Sequence, residues 1–273
     1  MLSEDLLLVS DLDGTLLDDD HNISSENKDA IKKLEDGGGL FTFATGRMEN
    51  STIQYIEELK IEIPVIVYNG AGIYDPREDQ LTWKKELTDY QEILEELIPY
   101  TDRHDLSIQV YQDGTPYYVG SQSLVEEADF KERVTSLPLD QADLSRPVTK
   151  ILMIASQLDV LHEIEAMVAE HGYPCTTVYS EWNYFEISPL DTNKGEALLQ
   201  LTGRYESRHD KELTTLTAGN NQNDLPMLEA AHYGFYVDNC DHRLRLDHLY
   251  PCVANTDHAI ADIIDNFVFQ KFL

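Results

Sequence analysis

The 273 residues carry 51 acidic and 20 basic side chains, which gives a formal charge of -31 at pH 7. A surface this acidic repels nucleic acids and anionic membranes, so we expect neither as a partner. The acidic excess is spread along the chain, which is typical of a solvated surface, with a salt-rich habitat as the alternative. Three cysteines without CxxC spacing and the lack of a basic signal-like start predict a cytoplasmic protein. The oligomeric state stays open.

Strands and helices are predicted to alternate over the first 70 residues. In chain order these are a strand at 6–10, a helix at 24–36, the strand LFTFA, a helix at 49–60 and the strand PVIVY. This order predicts an α/β fold with a doubly wound parallel sheet, in which ligands bind beyond the carboxyl ends of the strands. Asp11, Thr45 and Asn69 fall at those ends.

The alternation changes in the middle of the chain and returns near its end. The middle segment has helices interleaved with the strands SIQVYQ, PYYVG, ILMIA and YFEIS. Their spacing favours antiparallel pairing. Parallel-sheet order resumes with a helix from Asn193, the strand LTTLTAG, a helix from Asn223, the strand GFYV and a helix after Thr256. The length is enough for two lobes, so we predict an α+β domain at 88–187 inserted into a core of 1–87 and 188–273. Its hinges would lie near Trp83–Leu87 and Ser188–Asp191.

The first strand is followed by the acidic segment DLDGTLLDDD. Asp11 and Asp13 are separated by a single residue. Both can present oxygens at the mouth of the sheet only if a cation offsets the repulsion between their carboxylates. Mg²⁺ prefers such oxygen ligands, and Asp11 is then free to attack an electrophile. By itself, DLDG could equally be an acidic surface turn.

Four segments in order resemble the motifs of the haloacid dehalogenase (HAD) superfamily. They are DLDGT at 11–15, ATGR at 44–47, NKGEAL at 193–198 and AGNNQNDLPML at 218–228. The insertion resembles the cap domain of Cof-type and sucrose-phosphate-phosphatase-like members. The resemblance implies hydrolysis of phosphate esters in two steps, in which Asp11 attacks phosphorus and water then hydrolyses the aspartyl-phosphate. It also implies that Asp13 protonates the leaving alcohol and later activates water, while its backbone carbonyl binds Mg²⁺.

Two helix starts are predicted to hold the phosphate. Thr45 suits a donor to a phosphate oxygen, helped by the backbone N–H groups of Gly46 and Arg47. An ordinary helix cap is the alternative for Thr45, and the two roles can coexist. Lys194 is predicted at a helix start, where the positive end of the helix dipole repels its ammonium group unless a bound anion compensates the charge. The resemblance implies that Lys194 neutralises the phosphate and the nucleophile together.

The fourth motif departs from the family pattern Gly-Asp-x-x-Asn-Asp, because Asn220 occupies the position of the usual metal-binding aspartate. Asn220 can offer a carbonyl oxygen to Mg²⁺ but brings no charge, so weaker metal binding is expected. The predicted metal ligands are Asp11, Asp13, Asn220 and Asp224. Asn223 is a predicted substrate residue.

Further substrate contacts are predicted outside the four motifs. YNGAGIYD resembles the Asn-Gly segment that these phosphatases place beside the substrate, which makes Asn69 and Gly70 candidates, with a plain turn as the alternative. In the inserted domain, Lys150 and the loop at 180–183 are candidates to face the leaving group.

The predicted function is a Mg²⁺-dependent phosphatase for a small phosphorylated metabolite. A sugar phosphate is favoured, because the polar and Tyr-rich insertion suits hydroxylated ligands. A phosphosugar mutase and a catalytically weak phosphate-binding protein are the alternatives, the latter because of Asn220.

Overall fold

The computed structural model describes residue 2 and residues 5–273. The chain divides into two compact units. The first comprises the chain up to Gly46 together with Gln54–Trp83 and Asn193–Leu273, and the second comprises Arg47–Ile53 and Lys84–Thr192. The second unit therefore starts four residues before the predicted insertion, ends five residues after it, and includes a short segment from the amino-terminal half.

The elements follow the predicted alternation in the two terminal parts of the chain. The strands are β1 (Leu6–Ser10), β2 (Leu40–Phe43), β3 (Val65–Val67), β4 (Gly72–Asp75), β5 (Gln80–Lys84), β6 (Leu106–Gln112), β7 (Thr115–Gly120), β8 (Leu137–Pro138), β9 (Lys150–Ala155), β10 (Cys175–Glu181), β11 (Tyr184–Pro189), β12 (Thr214–Gly219), β13 (Tyr233–Val237) and β14 (Tyr250–Cys252). The α-helices are α1 (Ser25–Asp36), α2 (Glu49–Leu59), α3 (Gln91–Thr101), α4 (Gln122–Glu132), α5 (Leu158–His171), α6 (Lys194–His209), α7 (Leu225–Ala230), α8 (Ala259–Ile263) and α9 (Phe269–Lys271). A π-helical turn at Ile264–Val268 joins the last two, and short 3₁₀ helices include Tyr68–Gly70 and Gln222–Asp224. Within the described ranges, every helix is too short or too polar to span a bilayer.

The first unit is built on a five-stranded sheet in the order β14-β13-β12-β1-β2, with every neighbouring pair parallel. All five residues of β1 are buried, and strands flank both of its edges. Helix α1 buries Ala30, Ile31 and Leu34, and the Ser24 hydroxyl caps it by accepting the Asn27 N–H at 3.2 Å. The predicted α/β fold with a parallel sheet is confirmed.

The strand PVIVY differs from the prediction, because β3 belongs to a separate sheet in the order β3-β4-β5. β3 pairs antiparallel with β4. It adjoins the parallel sheet through one bridge, between Ala44 and Ile66. Strands β4 and β5 were not predicted, since two short strands joined by a polar turn leave only a weak alternating pattern.

The second unit contains a six-stranded sheet in the order β10-β11-β9-β6-β7-β8. Its four central pairings are antiparallel, as the sequence predicted, and only the short β7–β8 pair is parallel. Helices α3 and α5 pack on one face of this sheet. Their apolar side chains join inward residues of β6, β9 and β11, including Val110, Met153 and Phe185, in one core.

Candidate active site

Asp11 follows β1 directly, at the carboxyl end of the parallel sheet. Its backbone N–H donates to the Ala218 carbonyl at 2.8 Å, which continues the pairing of β1 with β12. The chain then turns at Gly14, whose φ of +76° lies in the left-handed region. The Thr15 hydroxyl comes within 3.3 Å of Asp11 Oδ2. The carboxylate is buried and oriented by its own loop.

Lys194 lies at the first position of α6, which Asn193 caps by accepting the Glu196 N–H at 2.8 Å. The side chain is completely buried. Its Nζ lies 2.6 Å from Asp11 Oδ1 and 2.6 Å from Asp224 Oδ1. Burial by itself would lower the pKa of Lys194, but the two carboxylates outweigh burial and raise it. The ammonium group is therefore charged and fixed between two anions.

Asp224 uses both oxygens to organise this site. Oδ1 accepts from Lys194, while Oδ2 accepts the backbone N–H groups of Asn220 at 2.9 Å and Asn221 at 3.0 Å. These contacts fold the loop after β12 into a capping box at the short helix Gln222–Asp224. The predicted role of Asp224 as a metal ligand stays a prediction.

The site has an excess of negative charge. Burial and the neighbouring Asp224 raise the pKa of Asp11 to about 7, against the opposing effect of Lys194. Within the described residues, no three or more His, Cys, Asp or Glu side chains form a ready metal cluster. A cation here would instead rest on Asp11, Asp13, the Asn220 amide and backbone oxygens, which are the hard donors that Mg²⁺ prefers. The residues present therefore fit the magnesium ion that the sequence predicts.

Asn220 lies against the loop that carries Asp11. A Cβ added to Gly14 would be 2.4 Å from Asn220 Nδ2, so a larger residue at position 14 would displace the amide. The Asn220 carbonyl accepts the Asp241 N–H at 2.8 Å, which fixes the backbone of this residue. The side chain predicted to bind the metal thus lies beside the loop that holds the predicted nucleophile.

The predicted phosphate-binding residues Thr45 and Gly46 follow β2 in the same sheet. The Thr45 N–H donates to Ile66 and its carbonyl accepts from the Asn69 N–H, each at 2.9 Å. The Asn69 amide lies next to Gly46, since a Cβ there would be 3.0 Å from Asn69 Nδ2. Asn223 Nδ2 donates to Asn69 Oδ1 at 2.9 Å, which links the fourth motif to the Asn-Gly segment beside the second.

An unusual backbone supports Asn69. Tyr68, Asn69 and Gly70 all have positive φ, at 52°, 53° and 97°. Gly70 packs so closely on the start of α6 that a Cβ would lie 2.2 Å from the Asn193 carbonyl oxygen. Three left-handed residues in a row are strained, and such strain persists where the surrounding structure enforces it.

The remaining predicted substrate residues belong to the second unit. Arg47 is buried and donates to the Lys131 carbonyl at 3.0 Å. Lys150 is 1% exposed, and its Nζ lies 3.4 Å from Glu186 Oε1 and 4.6 Å from the centre of the Tyr111 ring. In the loop at 180–183, Trp182 is 66% exposed. Their contacts with substrate stay predictions.

Sequence reasoning missed one residue beside Asp13. His21 Nδ1 lies 3.2 Å from Asp13 Oδ1. A tight turn brings it there, in which Asp18 Oδ1 accepts the N–H groups of Asp20 and Asn22. An Asx turn at Asp18 was the available local signal, because aspartate commonly accepts from the backbone two residues later.

A family model of haloacid dehalogenase-like hydrolases matches residues 8–264. The chain belongs to this family. The 5-amino-6-(5-phospho-D-ribitylamino)uracil phosphatase YitU of Bacillus subtilis is 25% identical over 249 residues, which cover 88% of each protein. The HMP-PP phosphatase of Serratia proteamaculans is 28% identical and covers 85% of this chain and 84% of the relative.

Two solved structures have the same fold. A haloacid dehalogenase-like hydrolase from Bacteroides thetaiotaomicron superposes with a TM-score of 0.83 at 22% identity, covering 96% of this chain and 99% of that one. TM0651 from Thermotoga maritima gives 0.78 at 25% identity, covering 96% and 97%. The chain is a HAD-type phosphatase, a hydrolase of phosphate monoesters, and the predicted family and enzyme class are confirmed.

Proposed function

We propose that this HAD phosphatase is Mg²⁺-dependent and hydrolyses a small phosphorylated metabolite whose leaving group is a sugar or a sugar alcohol. The observation that carries the catalytic part is the buried Lys194, held 2.6 Å from both Asp11 and Asp224. A buried cation beside a carboxylate at the mouth of a parallel sheet is suited to binding a phosphate and stabilising the charge that develops during its transfer.

The chain's own residues supply the two chemical steps of this proposal. Asp11 attacks phosphorus, and Asp13 donates a proton to the leaving alkoxide. Asp13 then takes a proton from the water that attacks the aspartyl-phosphate, and Asp11 leaves as a carboxylate. Thr45 and the Gly46 N–H hold the phosphate oxygens, while Lys194 offsets their charge throughout.

Three groups would hold the metal: the Asp11 carboxylate, the Asp13 backbone carbonyl and the Asn220 side-chain oxygen. When bound, Mg²⁺ supplies positive charge that offsets the repulsion between the phosphate and Asp11. Because Asn220 is neutral, we expect this enzyme to need a higher Mg²⁺ concentration than a form with aspartate at that position.

The substrate class rests on the chain's polar inserted segment and on relatives. YitU is named for a substrate whose phosphate is carried by a ribityl group, which is a polyol chain. The Serratia relative is named for HMP-PP instead, so the leaving group varies among similar proteins. Three free cysteines fit a reducing compartment, and we propose the cytoplasm as the location.

The test is the release of inorganic phosphate from p-nitrophenyl phosphate and a panel of sugar and polyol phosphates, with Mg²⁺ and again with EDTA. The Asp11→Asn variant controls for contaminating phosphatase. We expect turnover with Mg²⁺, loss with EDTA and recovery on adding Mg²⁺. Isomerised product without free phosphate would favour a mutase, and the absence of turnover at any Mg²⁺ level would reject the proposal.

A further inference from the structure

Three asparagine side chains of the first unit donate to the loop that follows the predicted nucleophile. We call residues 11–17 the nucleophile loop. Asn239 Nδ2 donates to the Gly14 carbonyl at 2.9 Å, and Asn255 Nδ2 donates to the Leu17 carbonyl at 2.9 Å. Asn27 Nδ2 approaches the Leu16 carbonyl at 3.4 Å. The loop is thus held from outside by amide groups.

The asparagines are themselves fixed by the backbone of the carboxyl-terminal segment. Asn239 Oδ1 accepts the Asn255 N–H at 3.0 Å, and Asn27 Oδ1 accepts the Ala261 N–H at 3.0 Å. Each of these two side chains therefore uses its oxygen to bind residues 255–261 and its nitrogen to bind the nucleophile loop. The position of the loop depends on a segment more than 220 residues away in sequence.

The loop needs these donors because its own N–H groups serve another carbonyl. The N–H groups of Thr15, Leu16 and Leu17 all donate to the Leu12 carbonyl, at 3.2, 3.1 and 2.9 Å. This pattern turns the carbonyls of Gly14, Leu16 and Leu17 away from the centre of the loop. Buried carbonyls without a donor are costly, so Asn27 and Asn255, which are both buried, also serve stability.

Asn239 differs from the other two because it is exposed. Water can replace its hydrogen bond to Gly14 without leaving a buried group unpaired, so its contribution to folding is small. Its partner, however, is the carbonyl of Gly14, the residue that follows Asp13. The Asp13 side chain is 27% exposed and lies against His21, so its direction depends on the backbone that carries it.

We propose that Asn239 is a positioning residue, which holds the Gly14 peptide so that Asp13 points at the leaving-group oxygen. This inference rests on the proposed function, in which Asp13 is the general acid. A general acid must lie within about 3 Å of the oxygen that it protonates, so a small rotation of the Gly14 peptide reduces its effect. The hydrogen bonds of the Asn239 side chain go to backbone groups of Gly14 and Asn255, so it acts on the reacting groups only through the loop.

Comparing kcat/KM for two phosphate esters distinguishes a positioning role of Asn239 from a general loss of structure. An alkoxide leaving group from a sugar phosphate needs a proton, whereas p-nitrophenolate leaves well without one. The ratio kcat/KM covers the steps up to release of the leaving group, while hydrolysis of the aspartyl-phosphate is common to both esters. Misplacing Asp13 therefore lowers kcat/KM for the sugar phosphate selectively.

The variants are Asn239→Asp and Asn239→Ala. The first keeps the oxygen that accepts from Asn255, but it replaces the donor to Gly14 with a second oxygen and adds a negative charge. The control is Asn266→Asp, which adds the same charge at an exposed asparagine whose Nδ2 donates to Asp262 at 2.6 Å, within the carboxyl-terminal helical segment. For both Asn239 variants we expect kcat/KM to fall about tenfold on the best sugar phosphate of the panel and by less than about threefold on p-nitrophenyl phosphate. The control should match the wild type on both esters, and Tm should be unchanged in both Asn239 variants.

Equal losses on the two esters would overturn the inference, because they would assign Asn239 a structural role. Wild-type values for both Asn239 variants would overturn it as well. If the wild-type enzyme releases phosphate from neither ester, the proposed function itself fails, which is a different result from a loss confined to the variants.

Discussion

The buried ammonium group of Lys194 is the feature whose removal should have the largest effect. Lys194→Met keeps a similar length and volume but leaves Asp11 and Asp224 as adjacent buried carboxylates. Asp224→Asn is the complementary change, since it keeps one oxygen for the N–H groups of Asn220 and Asn221. Combined, the two substitutions remove one positive and one negative charge from the same buried place.

The magnitude follows from the two distances of 2.6 Å. At an effective dielectric constant of about 20, each contact is worth about 6 kcal/mol before the cost of taking the charges out of water. Desolvation offsets much of this, and breaking one buried pair typically costs about 3–5 kcal/mol. We therefore expect each single variant to lower the free energy of unfolding by about 3–5 kcal/mol. The double variant should cost about 2–3 kcal/mol less than the sum of the two.

Urea unfolding followed by circular dichroism in EDTA buffer measures these free energies without a contribution from metal. The coupling between the two residues is then obtained as a double-mutant cycle. Phosphatase activity provides the second readout. Lys194→Met and the double variant should both lose at least about a hundredfold in kcat/KM, because restoring charge balance does not restore the cation that faces the phosphate.

Lys194 and Asp224 would not form one buried electrostatic unit if the double variant lost as much unfolding free energy as the two single variants together, to within about 0.5 kcal/mol. Recovery of activity in the double variant would refute the argument that Lys194 acts on the phosphate. Lys150→Met is a matched control when activity is measured on p-nitrophenyl phosphate, since Lys150 is almost equally buried but has its carboxylate partner Glu186 at 3.4 Å in the second unit.

Three further outcomes are expected from single substitutions. Asp11→Asn should abolish phosphate release while leaving the circular dichroism spectrum unchanged, and activity near the wild-type level would remove Asp11 as the nucleophile. Asn220→Asp should lower the Mg²⁺ concentration for half-maximal activity by about tenfold or more, because a carboxylate adds Coulomb attraction that desolvation only partly offsets, and an unchanged midpoint would place residue 220 outside the metal site. If Lys150 contacts the leaving group, Lys150→Met should reduce kcat/KM for sugar phosphates at least about tenfold more than for p-nitrophenyl phosphate, and equal losses would contradict that role.

The parallel core could be predicted because its signals are local. The run LLLVS, the capped helix after Ser24 and the polar residues at strand ends each depend on neighbours in sequence. Four motifs in a fixed order then identified the family, which the comparisons confirm. The strand CTTVYSE was missed because it is only partly buried, so its apolar and polar residues do not alternate clearly.

The supporting contacts of the site could not be predicted in this way. Asn239 donates to Gly14 across 225 residues, and nothing in the segment VDNCD indicates that partner. His21 is brought to Asp13 by a turn with three consecutive aspartates, a composition that equally fits a solvated loop. Such contacts depend on how loops from separate strands meet, which hydrophobic periodicity does not encode.

The pairing of β1 with β12 has a consequence for synthesis of the chain. Leu6 is in register with Thr214, so one edge of β1 finds its partner roughly 200 residues later, whereas the other edge pairs with nearby β2. At about 5–20 residues per second, β12 leaves the ribosome about 10–40 s after β1. During that interval the apolar strand LLLVS has a free edge of backbone donors and acceptors, which is the kind of surface that pairs with other chains. The nascent protein is therefore most prone to aggregate before residue 214 is made, and an expression screen of amino-terminal fragments ending before and after β12 would detect this as a change in solubility.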